Sequence, residues 1–261
     1  ADMALMVFQE ALLKTPADAA IGLPKVGLST LNGEHAHRFL QGRSANVLMG
    51  RSVTSIKMDD GLVCGVEISG GETLRADAYI SALPFKVLSG VLPDDVSGSP
   101  FFASAADLST SPIVGIHIWY DRPVMEGEFV AFVESPVQWV FNKSAIQDLG
   151  GTGQYICISL SGAWDLIDTP KDELREIFTH EMAQLFPRAR DAHVERFLVV
   201  KEPQATFRSA PGAAEHRLPQ RTPISNLFLA GEWTQTGWPS TMEGAVRSGA
   251  FAADAVADAI A

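Results

Sequence analysis

The residues best suited to chemistry lie in one segment near the end of the chain, Leu227 to Gly249. The apolar run Leu227 to Ala230 predicts a short buried strand that leads into Gly231 and Glu232. A glycine lets a ligand approach the backbone, and the carboxyl end of a strand is the usual ligand edge of an open α/β sheet. A carboxylate at this edge can accept hydrogen bonds from sugar-type hydroxyl groups.

A helix is predicted to begin near Ser240 or Thr241 and to continue to Ala261. Its first N–H groups and the positive end of its dipole suit an acceptor that gains negative charge, such as the pyrimidine end of a reduced flavin. Small residues recur every four positions, which lets a helix lie close to a sheet or a cofactor. The two rows are Gly244, Ser248, Ala252 and Ala245, Gly249, Ala253.

Close packing alone would also explain each of these parts taken singly. Two Trp, a Glu, several Gly and a Pro in one loop favour a ligand site instead. The segment resembles the flavin-contacting signature of flavin amine oxidases and phytoene-type desaturases, a strand ending in Ala-Gly-Glu, an aromatic residue, and then Met-Glu-Gly-Ala. Ala230 to Trp233 and Met242 to Ala245 carry that likeness.

The fuller wording from Gly231 to Gly249 is similar to one subgroup, the squalene-associated FAD-dependent enzymes (hydroxysqualene dehydroxylases) of bacterial hopanoid synthesis. Other stretches also resemble this family, so the likeness covers essentially the whole chain. They are Leu23 to Ser29, Ile116 to Val124, Gln138 to Asn142 and Ala205 to Phe207.

The resemblance implies FAD as cofactor and assigns positions to it. It places Val53 beside the adenine, Ala82 and Pro84 at the strand end that leaves the FAD domain, Gly231 and Glu232 near the ribityl–phosphate region, and Trp238, Thr241 and Met242 at the isoalloxazine. Without the resemblance, Val53 and Ala82 read equally well as ordinary core residues. No catalytic base is assigned.

The resemblance also implies a lipophilic, squalene-type isoprenoid substrate, with hydride transfer from a reduced flavin to an allylic carbon as a hydroxyl group leaves. Carotenoid-type desaturation and amine oxidation are the alternatives. Aromatic residues are candidates for an apolar substrate pocket and could stabilise an allylic cation, although an ordinary sheet core explains them equally well. They are Trp119, Tyr120, Trp139 and Phe141.

One expected part is missing from the sequence. Enzymes of this superfamily begin with a βαβ unit whose Gly-x-Gly-x-x-Gly motif binds the FAD pyrophosphate. The nearest cluster here, Gly150 to Gly153, lacks the third glycine and reads better as a loop. These 261 residues therefore supply the second half of an FAD site. Alone, we expect them to be a non-catalytic fragment, or a subunit completed by a partner.

Composition narrows the function classes further. A hydrophobic content of 46% predicts a sizeable core, and a net charge of −11 argues against nucleic acid as a partner. No apolar run is long enough to span a bilayer, and no signal peptide is apparent, so we expect a cytoplasmic chain with at most peripheral membrane contact. Cys64 and Cys157 read as reduced core thiols, and no metal is expected because His35 and His37 would face apart on a helix. Oligomeric state stays open.

The predicted fold class is α/β plus α+β. A partial Rossmann-like FAD-binding domain is interleaved with a substrate domain that contains a mixed or antiparallel sheet and helices. We assign residues 1–44 to a helical part of the substrate domain, 45–84 to the FAD domain, 85–205 to the substrate domain and 206–261 to the FAD domain.

Periodicity supplies the elements for this organisation. Predicted helices cover residues 1–15, 29–41, 170–186 and 241–261, with Ser29 and Thr169 as N-caps of the middle two. Predicted strands cover 46–49, 52–58, 62–68, 73–81, 113–120, 129–134, 137–141, 155–160, 193–201 and 226–230.

Overall fold

The structure is a computed structural model that describes residues 2–261. Its α-helices are α1 (Asp2–Ala11), α2 (His35–Gln41), α3 (Phe85–Val91), α4 (Asp94–Ser97), α5 (Pro100–Ala103), α6 (Lys143–Ile146), α7 (Lys171–Leu185) and α8 (Met242–Ile260). A π-helix covers Ser29–Glu34, and 3-10 helices cover Ser104–Asp107, Pro187–Arg190 and Ala213–His216. The strands are β1 (Val53–Asp59), β2 (Leu62–Ile68), β3 (Thr73–Leu74), β4 (Tyr79–Ser81), β5 (Thr110–Tyr120), β6 (Phe129–Ala131), β7 (Trp139–Asn142), β8 (Gln154–Ser161), β9 (Val194–Phe207) and β10 (Leu227–Leu229).

These elements form two compact units. The first contains the described residues up to Ala19, together with Leu48–Ser109 and Phe207–Ala261, and the second contains Ala20–Val47 and Thr110–Thr206. The boundaries predicted from the sequence fall after residues 44, 84 and 205. The assignment of the predicted segments to an FAD domain and a substrate domain stays a prediction.

The first unit holds a parallel pair of strands and a small antiparallel sheet. In the parallel pair, β10 runs beside β4 with Phe228 opposite Ile80, and all three residues of β10 are buried. In the antiparallel sheet, β1 pairs with β2 and β2 with β3. Asp60 and Gly61 join β1 to β2 with φ angles of 45° and 76°, the left-handed pair that tight hairpin turns require.

The second unit is built on a five-stranded sheet in the order β6-β7-β8-β5-β9. Strand β5 alternates strictly, because successive side chains of a strand point to opposite faces. Its inward residues, Val114, Ile116, Ile118 and Tyr120, share one buried core with Leu174, Phe178 and Met182 of α7. The helix stripe and the strand alternation therefore meet as the two layers of this unit.

Fold class is confirmed as a mixture of helices with parallel and antiparallel strands. The predicted run 62–68 is β2 itself, whereas 73–81 divides into β3 and β4, which belong to different sheets. The prediction of a strand at 46–49 is wrong, since this stretch is irregular. Strand β9 continues to Phe207, well past the predicted end at Lys201.

Two predicted helix caps are wrong. Pro170 is the N-cap of α7, and the Thr169 hydroxyl donates backwards to the Asp165 carbonyl at 3.2 Å. Ser29 lies inside the π-helix, and Leu28 precedes it with helical φ and ψ and no side-chain cap bond. Both serine and threonine hydroxyls can bond local carbonyls as well as helix N–H groups, so residue type alone does not decide the cap.

A buried and an exposed valine, Val140 and Val133, allow a matched test of the packing in the second unit. Val140 is fully buried in β7, whereas Val133 is 89% exposed just after β6. We expect Val140→Ala to lower the free energy of unfolding by about 2 kcal/mol, since it removes two buried methyl groups and leaves a cavity. Val133→Ala should change it by less than about 0.5 kcal/mol in urea unfolding. Equal losses in the two variants would contradict this placement.

Candidate functional site

Strand β10 ends in a turn that only glycine fits. Gly231 has a φ of 135°, and a Cβ built there would lie 2.6 Å from the Trp233 Nε1 atom. The Trp233 indole is buried and donates to the Leu83 carbonyl at 3.1 Å. Ala230 N–H also donates to the Ser81 carbonyl at 2.8 Å. The ends of β4 and β10 are thus held together by side-chain and backbone bonds.

Helix α8 begins beside this turn, and Thr241 is its N-cap, at the predicted helix start. The Thr241 Oγ1 atom accepts from the Gly244 N–H at 3.2 Å. A Cβ at Gly244 would meet the Pro239 carbonyl oxygen at 2.7 Å, so glycine lets the loop press on the first turn. Helix geometry leaves the N–H groups of Met242 and Glu243 without an intrahelical acceptor, as expected for an anion or carbonyl site.

Ser248 connects the helix to the strand end. Its side chain is fully buried, and its Oγ accepts from the Gly231 N–H at 2.7 Å while the hydroxyl donates to the Ala245 carbonyl at 2.6 Å. From the sequence, Ser248 was predicted only to be one of the small residues that let the helix pack closely. Its row is the buried one, with Gly244, Ala252 and Ala255, whereas Ala245, Gly249 and Ala253 are exposed.

Arg217 is the main feature that the sequence analysis missed. It is 4% exposed, and its guanidinium donates to the carbonyls of Trp238 at 2.8 Å and Glu232 at 2.7 Å. It also donates to the Thr236 hydroxyl at 2.9 Å. Burial lowers the pKa of this guanidinium, and the Glu232 carboxylate opposes that shift. One buried cation therefore fixes both ends of the loop between β10 and α8.

Trp238 is fixed from its other side by the helix. The Arg247 guanidinium lies over the Trp238 ring, 4.1 Å from its centroid, and Arg247 donates to Glu243 at 2.7 Å one turn earlier. This contact is a cation–π arrangement, with the cation itself held by a carboxylate. The loop tryptophan consequently has a defined plane next to the start of α8.

The predicted cofactor residues fall into three places in the first unit. Gly231 and Glu232 follow β10, and the exposed Ala82 and Pro84 follow the neighbouring strand β4. The segment containing Trp238, Thr241 and Met242 meets that edge through the Ser248 bond and through Gly244, whose Cβ would lie 3.8 Å from that of Glu232. Val53 begins β1 in the antiparallel sheet, outside the β4–β10 pair. Their roles toward FAD stay predictions.

The donor set at this edge fits one end of a flavin dinucleotide. Glu232 is partly exposed and can accept hydroxyl donors, and the start of α8 offers N–H donors to an acceptor. The Ser81 Oγ, at the end of β4, is buried without a hydrogen-bond partner among residues 2–261. The site thus combines an acceptor for hydroxyl groups with N–H donors for a heterocyclic carbonyl.

A second set of predicted residues lies on the outward side of the five-stranded sheet. There Trp119 stacks on Tyr155 with centroids 4.4 Å apart and planes within 5°, and Trp139 stacks on Phe141 at 6.0 Å and 12°. We call this side, with Trp119, Tyr155, His117, Trp139 and Phe141, the aromatic face.

The prediction that Tyr120 joins the other pocket candidates is wrong. Tyr120 is 2% exposed and lies on the opposite side of β5, in the core beneath α7. Its burial raises the pKa of its hydroxyl to about 12. Strand alternation separates it from Trp119, its neighbour in sequence.

Comparison with known proteins identifies the family. The sequence profile of flavin containing amine oxidoreductases matches residues 13–257. The chain belongs to this family. It is 27% identical to a 15-cis-phytoene desaturase of Synechococcus elongatus, over 83% of the chain and 48% of that protein. It is also 27% identical to a hydroxysqualene dehydroxylase of Sinorhizobium fredii, over 87% of the chain and 50% of that protein. The chain thus spans about half the length of these relatives.

Solved structures agree on the fold. An oxidoreductase from Methanosarcina mazei superposes with a TM-score of 0.64 at 14% identity, covering 82% of the chain and 51% of that structure. Putrescine oxidase bound to putrescine superposes with a TM-score of 0.61 at 15% identity, covering 87% and 53%. At these identities the likeness is one of fold.

Residues 2–261 contain neither a membrane-spanning helix nor a metal-binding cluster. No helix in this range has the length and apolar character needed to cross a membrane. Within the same range, no three His, Cys, Asp or Glu side chains come together as a metal-binding group.

The contribution of Arg217 to stability can be tested by comparison with Arg221, a surface arginine of the same unit. Arg217→Met removes the donor from two loop carbonyls and should lower the free energy of unfolding by about 2–4 kcal/mol. Arg221 pairs with Asp258 at 2.8 Å, and both side chains are more than half exposed. We therefore expect Arg221→Met to cost less than about 1 kcal/mol in the same urea titration. If the two variants lose the same free energy of unfolding, Arg217 does not hold the loop between β10 and α8 in place.

Proposed function

We propose that this chain forms the C-terminal half of an FAD-dependent oxidoreductase that acts on a squalene-type isoprenoid and converts hydroxysqualene to squalene. The observation that carries the proposal is the Gly231–Glu232 edge joined to the capped start of α8, in a chain of the flavin-containing family. Similarity to a hydroxysqualene dehydroxylase over 87% of the chain supports the substrate class.

Specific residues would hold the cofactor. The Glu232 carboxylate would accept hydrogen bonds from ribityl hydroxyls, and Gly231, whose missing side chain makes room for Trp233, would hold the strand end beside them. The N–H groups of Met242 and Glu243 would donate to the pyrimidine end of the ring system, where negative charge collects on reduction. Trp238, held by Arg247, would bound the ring. When bound and reduced, the flavin supplies the hydride.

The aromatic face of the second unit supports an apolar substrate. Trp139 and Phe141 present ring surfaces that suit a polyisoprenoid chain, and such faces can stabilise positive charge at an allylic carbon, whereas the Trp119 ring is covered by Tyr155 and by Arg196. A lipophilic substrate of this kind resides in membranes. A cytoplasmic location with peripheral contact to the inner membrane is therefore part of the proposal.

Desaturation of a carotenoid precursor is the second candidate. It is favoured by the phytoene desaturase of Synechococcus elongatus, which is as similar to the chain as the dehydroxylase is. Amine oxidation is a third, by analogy to putrescine oxidase. All three reactions would use a flavin bound at the Gly231–Glu232 edge, so this edge alone does not distinguish the three candidate functions.

The sequence holds no Gly-x-Gly-x-x-Gly motif, and we propose that these residues require a glycine-rich half to retain FAD. The chain alone should therefore emerge from gel filtration with excess FAD without bound flavin, as judged by absorbance near 450 nm. A stoichiometric flavin spectrum in the purified chain would sink this proposal.

A matched pair of variants sharpens that measurement in a polypeptide that joins a glycine-rich βαβ half to these residues. Glu232→Ala removes the proposed hydroxyl acceptor and should weaken FAD binding at least about tenfold, as expected for a charged hydrogen bond. Asp254→Ala removes an exposed carboxylate further along α8 and should leave FAD affinity unchanged. Equal affinities in both variants would contradict the role of Glu232.

Turnover by the same FAD-loaded polypeptide tests the reaction. Under anaerobic conditions with a chemical reductant, hydroxysqualene should give squalene, detected by gas chromatography. Phytoene and putrescine, each supplied with an electron acceptor, should remain unchanged. Desaturated phytoene would establish the second candidate, and aldehyde formed from putrescine would establish the third.

A further inference from the structure

His117 and Tyr155 form a polar pair within the aromatic face. The His117 Nδ1 and the Tyr155 hydroxyl oxygen are 2.7 Å apart, a short hydrogen bond between neighbouring strands β5 and β8. Both side chains are partly buried. This pair has no part in the core of the second unit, because both residues occupy outward positions of their strands.

Register places this pair beside a row of small side chains. Phe141, Cys157 and His117 lie opposite one another across β7, β8 and β5, and two residues along the strands the corresponding positions are Trp139, Ser159 and Gly115. Cys157 and Ser159 of β8 therefore lie between the rings of β7 and the side chains of β5. An extended hydrocarbon chain matches such a row, with aromatic walls at its side.

The surroundings of the pair fix its geometry. The Tyr155 ring stacks flat on Trp119, and Arg196 lies over the Trp119 ring, 4.8 Å from its centroid. A Cβ at Gly115 would lie 3.3 Å from the His117 Nε2, so the absence of a side chain there leaves room for the imidazole. Both hydrogen-bonding partners are thereby oriented before any ligand arrives.

The protonation states of His117 and Tyr155 leave the tyrosine oxygen able to accept a further hydrogen bond. Burial, and then the positive charge of Lys143, lower the pKa of His117. Burial and Cys157 raise the pKa of Tyr155, with Arg196 acting in the opposite direction. Both groups are therefore neutral at pH 7. In either histidine tautomer, one proton lies between them and the tyrosine oxygen keeps at least one acceptor lone pair.

We propose that the His117–Tyr155 pair determines specificity by hydrogen-bonding the hydroxyl group of an isoprenoid alcohol, whose hydrocarbon chain lies against the aromatic face. The pair thus distinguishes an alcohol substrate from a hydrocarbon of the same skeleton. This inference rests on the substrate class of the proposed function. It assigns Tyr155 the direct contact and His117 the positioning of the tyrosine hydroxyl.

If the pair had only a structural role, the expected effects of removing it would be different. Two polar groups that only satisfy each other would affect stability when removed, and would affect binding of an alcohol and of a hydrocarbon equally. Selective recognition instead requires that loss of the tyrosine hydroxyl changes the binding ratio of the two ligands. The ratio is therefore the informative quantity.

The test uses the 261-residue chain with two radiolabelled C15 ligands, farnesol and the hydrocarbon farnesene, in equilibrium dialysis below their solubility limits. The chain should bind both saturably and prefer farnesol by about fivefold, the value of one uncharged hydrogen bond. Tyr155→Phe keeps the ring and its stack, so farnesene binding should be unchanged while the preference falls to about one. Tyr120→Phe removes a hydroxyl on the opposite side of the same sheet and should retain the fivefold preference.

A ligand series gives a second measurement without any variant. Farnesyl methyl ether lacks the donor proton, and the unaltered chain should bind it less tightly than farnesol because the ether cannot donate to the tyrosine oxygen. The proposal is overturned if farnesol is not preferred, if the preference survives in Tyr155→Phe, or if neither ligand binds saturably. These outcomes are independent of the turnover assay, since an alcohol preference could persist in a protein that produces no squalene, and squalene could form without it.

Discussion

The bond from the Gly231 N–H to the Ser248 hydroxyl brings the strand, the loop and the long helix of the first unit to one point. A strand that ends under a helix buries backbone groups that must find partners, and each unpaired one would cost about 1–3 kcal/mol. Ser248 meets this demand on the helix side, and Trp233 meets it toward β4. The close approach at Gly244 requires glycine, because a Cβ there would lie 2.7 Å from the Pro239 carbonyl oxygen.

Arg217 answers the same demand on the other side of the loop. A buried guanidinium without a carboxylate hydrogen bond is costly unless its donors are used. Here the two terminal nitrogens of Arg217 donate to three acceptors in the loop from Glu232 to Trp238, whereas its Nε has no partner among residues 2–261. The guanidinium thereby orients backbone carbonyls of the loop, which it could not do if its donors were bound to a carboxylate. The loop gains a fixed shape, which a cofactor edge requires.

The sequence was informative where a pattern is local. Strand β2, the alternation of β5 and the start of α8 at Thr241 follow from turns, period and capping within a few residues. Arg217 escaped prediction because its acceptors are backbone oxygens 15 and 21 residues away, which no residue type announces. Tyr120 was misplaced because an aromatic run was read without its alternation, and Thr169 because its hydroxyl bonds backwards.

The pairing of β4 with β10 has a consequence for the order of folding. The Trp233–Leu83 bond that closes this region joins residues 150 positions apart, and the five strands of the second unit all lie within the intervening stretch. At a synthesis rate of about 5–20 residues per second, β4 waits on the order of ten seconds for its neighbour. During this interval the second unit can complete its sheet, while the Tyr79–Ser81 strand lacks its neighbour β10. Nascent chains should therefore depend on chaperones most strongly just before β10 leaves the ribosome.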